Sequence, residues 1–295
     1  MRARVDALGQ GEPPAVPKHA STVVLLRENG SAAGLQACLL RRVRTMAFAA
    51  GMHVFPGGSV DPADAIEPTE APDGSISDWL GPGPAQWAQV LTADVALARA
   101  LVCAAVRETF EESGVLLAGP DASSIADTDP VADPSWETDR QGLLDRRFSL
   151  SELLHRRGLR LRADLLRPWA HWVTPEAEPK RYDTRFFVAA MPPEQATRDV
   201  GGESDRMMWL APQEALDLHQ AGSLAMMPPT AFTLAELTGY QSVDSVLEAA
   251  NGRDIRPVLP RVVVTGEQAQ LLLPGDADYA DDRPSGGSTS RGYAQ

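Results

Sequence analysis

Short stretches of the chain are dense in β-branched and leucine side chains. Residues 22–26 (TVVLL) and 35–40 (LQACLL) are such runs, and Glu28-Asn29-Gly30 between them carries turn chemistry, so a hairpin is predicted. Strand-like runs recur at 169–174, 184–190 and 207–210. Leu97, Leu101, Val102, Ala105, Val106, Thr109 and Phe110 recur at the three-and-four spacing of a helix face. They predict a helix over about 93–113, stopped by Gly114 in a left-handed conformation, with a short apolar run at 115–117 beyond it. Helical patterns also fill 212–220 and 229–250. Strands alternating with helices and interrupted by hairpins predict an α/β fold, a mixed sheet with helices on it.

Polar punctuation sets the boundaries. Residues 1–19 read as a flexible tail, as do the Gly-, Ser- and Asp-rich residues 266–295. The stretch 61–98 holds seven acids, five prolines and no Lys or Arg, and reads as a surface insertion rather than a core element. The predicted domain spans 20–220 with that insertion, followed by a helical extension at 221–265. A second acidic loop, 121–139, precedes a segment, 146–167, with seven arginines.

Charge narrows the function. Forty acidic against 27 basic side chains give a net −13, which argues against nucleic-acid binding by bulk electrostatics. Only Lys18 and Lys180 are lysines, so anions must be met locally by arginine. No stretch approaches the roughly 18 apolar residues of a membrane span, and Cys38 and Cys103 sit in apolar runs. A cytoplasmic protein with reduced core thiols is expected. Neither lysine completes a Walker loop, no histidine is followed by glutamate, and no G-x-S-x-G elbow occurs.

The stretch Arg107-Glu108-Thr109-Phe110-Glu111-Glu112-Ser113-Gly114-Val115 holds the candidate chemistry. On a helix Glu108 and Glu112 stand one above the other, with Glu111 beside them. Such a cluster repels itself unless a cation sits among the carboxylates, and all-oxygen ligation selects Mg²⁺ or Mn²⁺. Arg107, four residues before Glu111, can hold that side chain in place.

Together with His53-Val54-Phe55-Pro56-Gly57-Gly58, this stretch resembles the Nudix hydrolase family, whose box reads G-x5-E-x7-R-E-U-x-E-E-x-G-U. The chain departs from the box in three places. Thr109 replaces an aliphatic residue, Gly58 and Arg107 are 35 residues further apart than in the box, and Arg99 stands eight positions before Arg107, where the box has glutamate. The interrupted box and the stretch 180–187 look like the coenzyme A diphosphatase branch. The resemblance implies a Nudix fold, a mixed sheet sandwiched between helices. It also implies metal ligands at Gly57 (carbonyl), Glu108, Glu111 and Glu112, with Glu111, Glu112 and Arg107 as the catalytic set. Glu203 joins Glu111 and Glu112 as a candidate general base. Of the arginines near the loop and the later strand, Arg42, Arg44, Arg181 and Arg185 are the candidate substrate-phosphate contacts. His53 reads as a strand-end histidine satisfied by backbone.

The implied activity is metal-dependent hydrolysis of a diphosphate in a small nucleotide, with coenzyme A or an acyl derivative first. Nucleoside diphosphate sugars, NADH or dinucleotide polyphosphates come second, and a non-catalytic nucleotide-binding module third. The arginines at 146–167 read either as a solvated helix balancing the acidic loops or as a cap over an adenosine 3′-phosphate. The apolar helices after Met226 suit a homodimer interface as well as a core.

Overall fold

The computed structural model describes residues 2–30, 34–43, 51–65, 78–199, 204–265, 268–273, 276 and 279. In chain order its elements begin with α1 (Arg2–Gly9), β1 (Lys18–Glu28), β2 (Leu35–Arg42), β3 (His53–Val54) and β4 (Gly57–Ser59). A 3-10 turn at Pro62–Ala65 is followed by β5 (Trp79–Leu80), α2 (Pro84–Leu91), α3 (Val95–Ser113) and β6 (Ala118–Gly119). Next come α4 (Ser135–Leu144), α5 (Leu150–Arg157), β7 (Arg160–Arg162), a second 3-10 turn at Ala163–Leu165, β8 (Arg167–Val173), β9 (Tyr182–Ala190) and β10 (Ser204–Leu210). The last are α6 (Pro212–Gln220), α7 (Pro228–Leu237), α8 (Val243–Ala250), β11 (Pro257–Val258), β12 (Arg261–Thr265) and β13 (Gln268–Leu272).

The chain divides into two units, the larger comprising Ala20–Ala170 and Arg185–Ile255, the smaller Met1–His19, His171–Thr184 and Arg256–Gln295. In the larger unit the strand order is β10-β2-β1-β9-β8, with β3 added to β2 and β4 to β1. The hairpin expected between 22–26 and 35–40 is present, with Leu26 opposite Ala37 and Glu28 opposite Leu35. The α3 helix lies against one sheet face. Its Leu101, Val102, Ala105, Val106 and Phe110 join Val23, Leu25, Cys38, Phe187 and Ala189 in one core. Val24, Leu26 and Leu39 on the opposite face are equally buried, and α6 packs on β2. Both cysteines are free and buried.

Two tail-like segments and the insertion differ from the sequence reading. The stretch 1–19 contains α1 and the start of β1, and β12 pairs with β13 in a hairpin where 266–295 was expected to be a tail. The remaining residues of that tail, apart from those described above, lie outside the described residues. Within 61–98, Trp79, Trp87 and Leu91 are core residues, and α3 itself starts at Val95. Trp79 pairs with Leu161 across β5 and β7, and Trp87 meets Phe187 edge-on, ring centroids 5.7 Å apart. Acids and prolines dominate the composition of this arm, yet its few large apolar side chains decide its position, because burying an indole outweighs the surrounding polarity. The 229–250 helical pattern is broken into α7 and α8, with Ser242 capping the second through Ser245 N–H. Among the described residues no single helix is long and apolar enough to cross a membrane.

The smaller unit contains the parallel pairing of Pro257 with His171 and the β12–β13 hairpin. His171 bonds Asp183 there at 2.5 Å, with His19 at 3.6 Å from the same carboxylate.

Candidate active site

The helix that carries the carboxylates is bounded as its sequence dictates. Asp94 caps α3 by accepting the Leu97 N–H at 2.8 Å. At the other end Gly114 adopts φ +75° and donates its N–H to the Phe110 carbonyl. Thr109 is fully buried where the box prefers an aliphatic residue; its hydroxyl donates to the Ala105 carbonyl at 2.7 Å, so the polar group is satisfied inside the helix. Ser21 on β1 donates its hydroxyl to the Leu101 carbonyl at 2.6 Å and fixes the sheet against mid-helix.

Gly57 pairs with Thr22, and Gly58 with Ser21, so β1 holds the glycine bend in register. The bend meets the carboxylates directly. The Gly57 N–H donates to Glu112 Oε2 at 2.8 Å. A Cβ on Gly58 would lie 2.4 Å from Glu108 Oε1, and one on Gly57 would lie 2.4 Å from the Ser21 carbonyl oxygen. Gly57, facing backbone at φ +158°, therefore requires glycine, while at Gly58 a side chain would displace the Glu108 carboxylate.

Arg107 organises the cluster. Its Nη1 donates to Glu108 Oε1 at 2.9 Å and to Glu111 Oε2 at 3.1 Å, and its Nη2 donates to the Ser59 carbonyl at 3.0 Å. The guanidinium also makes a two-pronged pair with Asp64, Nε to Oδ1 and Nη2 to Oδ2, both at 2.9 Å. Asp64 is nearly sealed, its side chain 1% exposed, and its Oδ2 accepts the Asp61 N–H as well. Burial pushes the Glu111 carboxyl up to about 7; Arg107 opposes the rise and Glu108 adds to it. The surrounding acids hold the Arg107 guanidinium firmly charged against its own burial.

Sequence reasoning missed Asp64 as the outer carboxylate. Counted back from Arg107 the box places Arg99 there, but counted forward from Gly58 it places Asp64 six positions on. The structure favours the second register, with the added chain between Asp64 and Arg107. Arg99 instead pairs with Asp78 at 3.3 Å and lies 5.6 Å from the Trp79 ring centroid. Buried Arg140, also missed, donates to the Glu111 carbonyl at 2.8 Å.

Two of the four candidate phosphate contacts are engaged by backbone carbonyls. Arg181 is buried in the smaller unit, donating to the carbonyls of Thr174 and Ala15 at 3.0 and 2.8 Å. Arg185 is buried in the larger unit and directs Nε to the Leu91 carbonyl at 3.3 Å. Each is buried among backbone acceptors, Arg181 just before β9 and Arg185 within it. Arg42 ends β2, while Arg44 and Glu203 lie outside the described residues. His53 is buried with Nδ1 3.3 Å from the Ala225 carbonyl, the backbone contact expected of it. The arginines of 146–167 mostly balance nearby acids. Arg156 and Arg157 both reach Asp139, Arg162 binds Asp164, and Arg146 meets Asp61 at 3.2 Å.

A glycine bend pressed on two glutamates of a helix that ends R-E-x-x-E-E-x-G defines a Nudix hydrolase site on an α/β sandwich. The model of the NUDT19 Nudix domain matches residues 17–237, and the chain belongs to that family. It is an enzyme that hydrolyses diphosphate anhydride bonds. The human acyl-coenzyme A diphosphatase NUDT19 is 28% identical, the match covering 85% of this chain and 74% of the human one. A putative nudix hydrolase 7 of Caenorhabditis elegans is also 28% identical, over 83% of this chain and 70% of its own. The crystal structure of a NUDIX hydrolase from Alicyclobacillus acidocaldarius superposes with a TM-score of 0.62 at 27% identity, covering 79% of this chain and 96% of that one.

Proposed function

We propose that the chain hydrolyses coenzyme A or an acyl-coenzyme A to adenosine 3′,5′-bisphosphate and a phosphopantetheine. Water adds to one phosphorus, the P–O–P bridge breaks, and the bridging oxygen leaves on the other phosphate. The single observation that carries the hydrolytic reading is the placement of Glu108 and Glu112 against Gly57 and Gly58. The relatives in human, chicken and frog, each an acyl-coenzyme A diphosphatase, support this choice of substrate.

Nudix hydrolases generally use divalent metal ions. Glu108, Glu112 and the Gly57 carbonyl would hold Mg²⁺ or Mn²⁺, and Glu111 would be shared between the ion and Arg107. Among the described residues no three acidic, histidine or cysteine side chains already converge on one point. The donor chemistry nonetheless fits. All the donors are hard oxygens, and a carboxyl pushed up to about 7 beside Glu108 is one that a cation would stabilise in its ionised form. Such an ion neutralises the diphosphate and activates water. Arg107 and Asp64 position Glu108 and Glu111, and Arg42 at the end of β2 is the remaining described candidate for a substrate phosphate.

The test is turnover of coenzyme A, acetyl-coenzyme A, NADH, ADP-ribose and diadenosine polyphosphates with Mg²⁺ or Mn²⁺, products separated by chromatography. Cleavage of coenzyme A to the two named products is expected. Cleavage of NADH without coenzyme A would overturn the substrate, and binding without turnover of any member would overturn the reaction.

A further inference from the structure

The sheet face beneath α3 continues past the glutamates. Strand register sets Arg27 opposite Gln36 and Cys38 opposite Trp209, so these residues and Met207 project from one face. Cys38 belongs to the core under α3, where burial pushes its thiol up to about 12. Where β9 ends, the segment that follows borders an open cavity of about 550 Å³, walled by Arg27, Met191, Gln195, Arg198, Met207 and Trp209 among others. That volume falls within the roughly 300–1,000 Å³ of small-molecule pockets.

Its polar equipment suits an anion attached to a flat ring. The Arg27 guanidinium lies 4.3 Å from the centroid of the Trp209 ring and is anchored by Nε donation to Gln36 at 3.0 Å. The Trp209 indole N–H is in turn held by Thr197 at 2.9 Å. Arg198 is tied to the end of the carboxylate helix, its backbone N–H on the Ser113 carbonyl at 3.1 Å and its guanidinium packed on Gly114. The guanidinium's other contacts are long, 3.4 Å to the Thr128 carbonyl and 3.5 Å to Glu137. Its buried Nε has no partner among the described residues. Asp199, the acid in the wall, already accepts the Met207 N–H at 2.7 Å. The Arg198 Nη groups, held only by these long contacts, are the cavity's cationic donors beside Arg27. A phosphomonoester would give them closer acceptors, which an acyl or pantetheine chain lacks.

We propose that this cavity binds the adenosine 3′-phosphate end of the substrate, Arg198 and Arg27 binding its phosphate and the Arg27–Trp209 stack offering a platform to the base. The assignment rests on the coenzyme A reading above. It moves recognition of the 3′-phosphate away from the arginines of 146–167, most of which are engaged with neighbouring acids.

Calorimetry on the full chain without metal compares adenosine 3′,5′-bisphosphate with adenosine 5′-monophosphate, for wild type, Arg198→Gln and Arg27→Gln. Wild type is expected to prefer the bisphosphate by roughly ten- to a hundredfold, and each variant to bring that preference within about threefold. In turnover, the kcat/KM ratio of coenzyme A to dephospho-coenzyme A is expected to fall in both variants, through KM. If the wild type shows no preference, or if both variants keep it, the cavity is not the phosphate reader. Should Arg198→Gln fail to fold by circular dichroism, Arg27→Gln on a separate strand decides alone. Loss of binding preference with coenzyme A cleavage intact refutes the pocket only. Failure of the wild type to cleave coenzyme A refutes the substrate reading instead.

Discussion

Replacing Asp64 by asparagine preserves side-chain volume and removes the charge that faces Arg107. Two guanidinium bonds at 2.9 Å are affected, and the amide nitrogen must face either Arg107 Nε alone or both Arg107 Nη2 and the Asp61 N–H at 2.8 Å. The pair is almost dry, 1% exposed on the acid and 11% on the arginine, so solvent screens little of the loss. Breaking one partner of a buried pair costs about 3–5 kcal/mol. Arg107 keeps Glu108 and Glu111 as partners, which places Asp64→Asn near the lower limit, about 3 kcal/mol. Urea unfolding of the metal-free protein measures this directly, and a cycle with Arg107→Gln should return a coupling of about 2 kcal/mol or more. The turnover number should fall roughly tenfold or more, because an arginine no longer pinned from behind leaves Glu108 and Glu111 less well placed. A loss under about 1 kcal/mol, or strict additivity in the cycle, would refute the role given to Asp64.

Glu112→Gln should lower kcat by orders of magnitude while far-UV circular dichroism stays unchanged; an active variant would contradict its place on the ion. Gly57→Ala forces a methyl to within 2.4 Å of the Ser21 carbonyl oxygen and 2.7 Å of the Thr22 Cα, backbone atoms that cannot swing aside. A stability loss of roughly 1–3 kcal/mol and weaker Mn²⁺ uptake by calorimetry are expected, and a neutral substitution would contradict the close packing. Glu111 gives a pH signature. Its carboxyl is raised from an ordinary 4.5 to about 7 by burial, so the folded chain holds the proton more tightly than the unfolded one. The stabilisation this brings is complete below about pH 4.5 and is lost as pH rises through 7. In chelator-treated protein, wild type should therefore lose roughly 3 kcal/mol relative to Glu111→Gln across that window, and a flat difference would show the carboxyl to be unperturbed.

The helix that ends at Gly114 was readable because its apolar spacing and its terminal glycine pointed to one element. Gly57, Gly58, Glu108 and Glu112 could be paired in advance because a motif compresses geometry that recurs. The inserted arm was not readable. Its acids and prolines say surface, and only the partners of Trp79 and Trp87, far off in sequence at Leu161 and Phe187, say otherwise. The arginines were the hardest to place. Arg181 and Arg185 share strand β9 or its edge with no local sign that backbone carbonyls await them, whereas Arg140 and Arg198 look ordinary and reach the end of the carboxylate helix. Long side chains are directed by tertiary neighbours, which periodicity does not encode.

The ion pair that braces the glutamates joins residues 43 positions apart, where an uninterrupted box would separate them by eight. Closing the longer span in an unfolded chain costs about 1.5 kcal/mol more in entropy. That deficit vanishes only after the intervening arm has docked through its tryptophans, so Asp64 and Arg107 should meet late as the polypeptide matures. Until then the glutamates share a helical turn without the brace that orients Glu108 and Glu111, and hydrolytic competence becomes a report on the integrity of an arm that carries none of the proposed metal ligands.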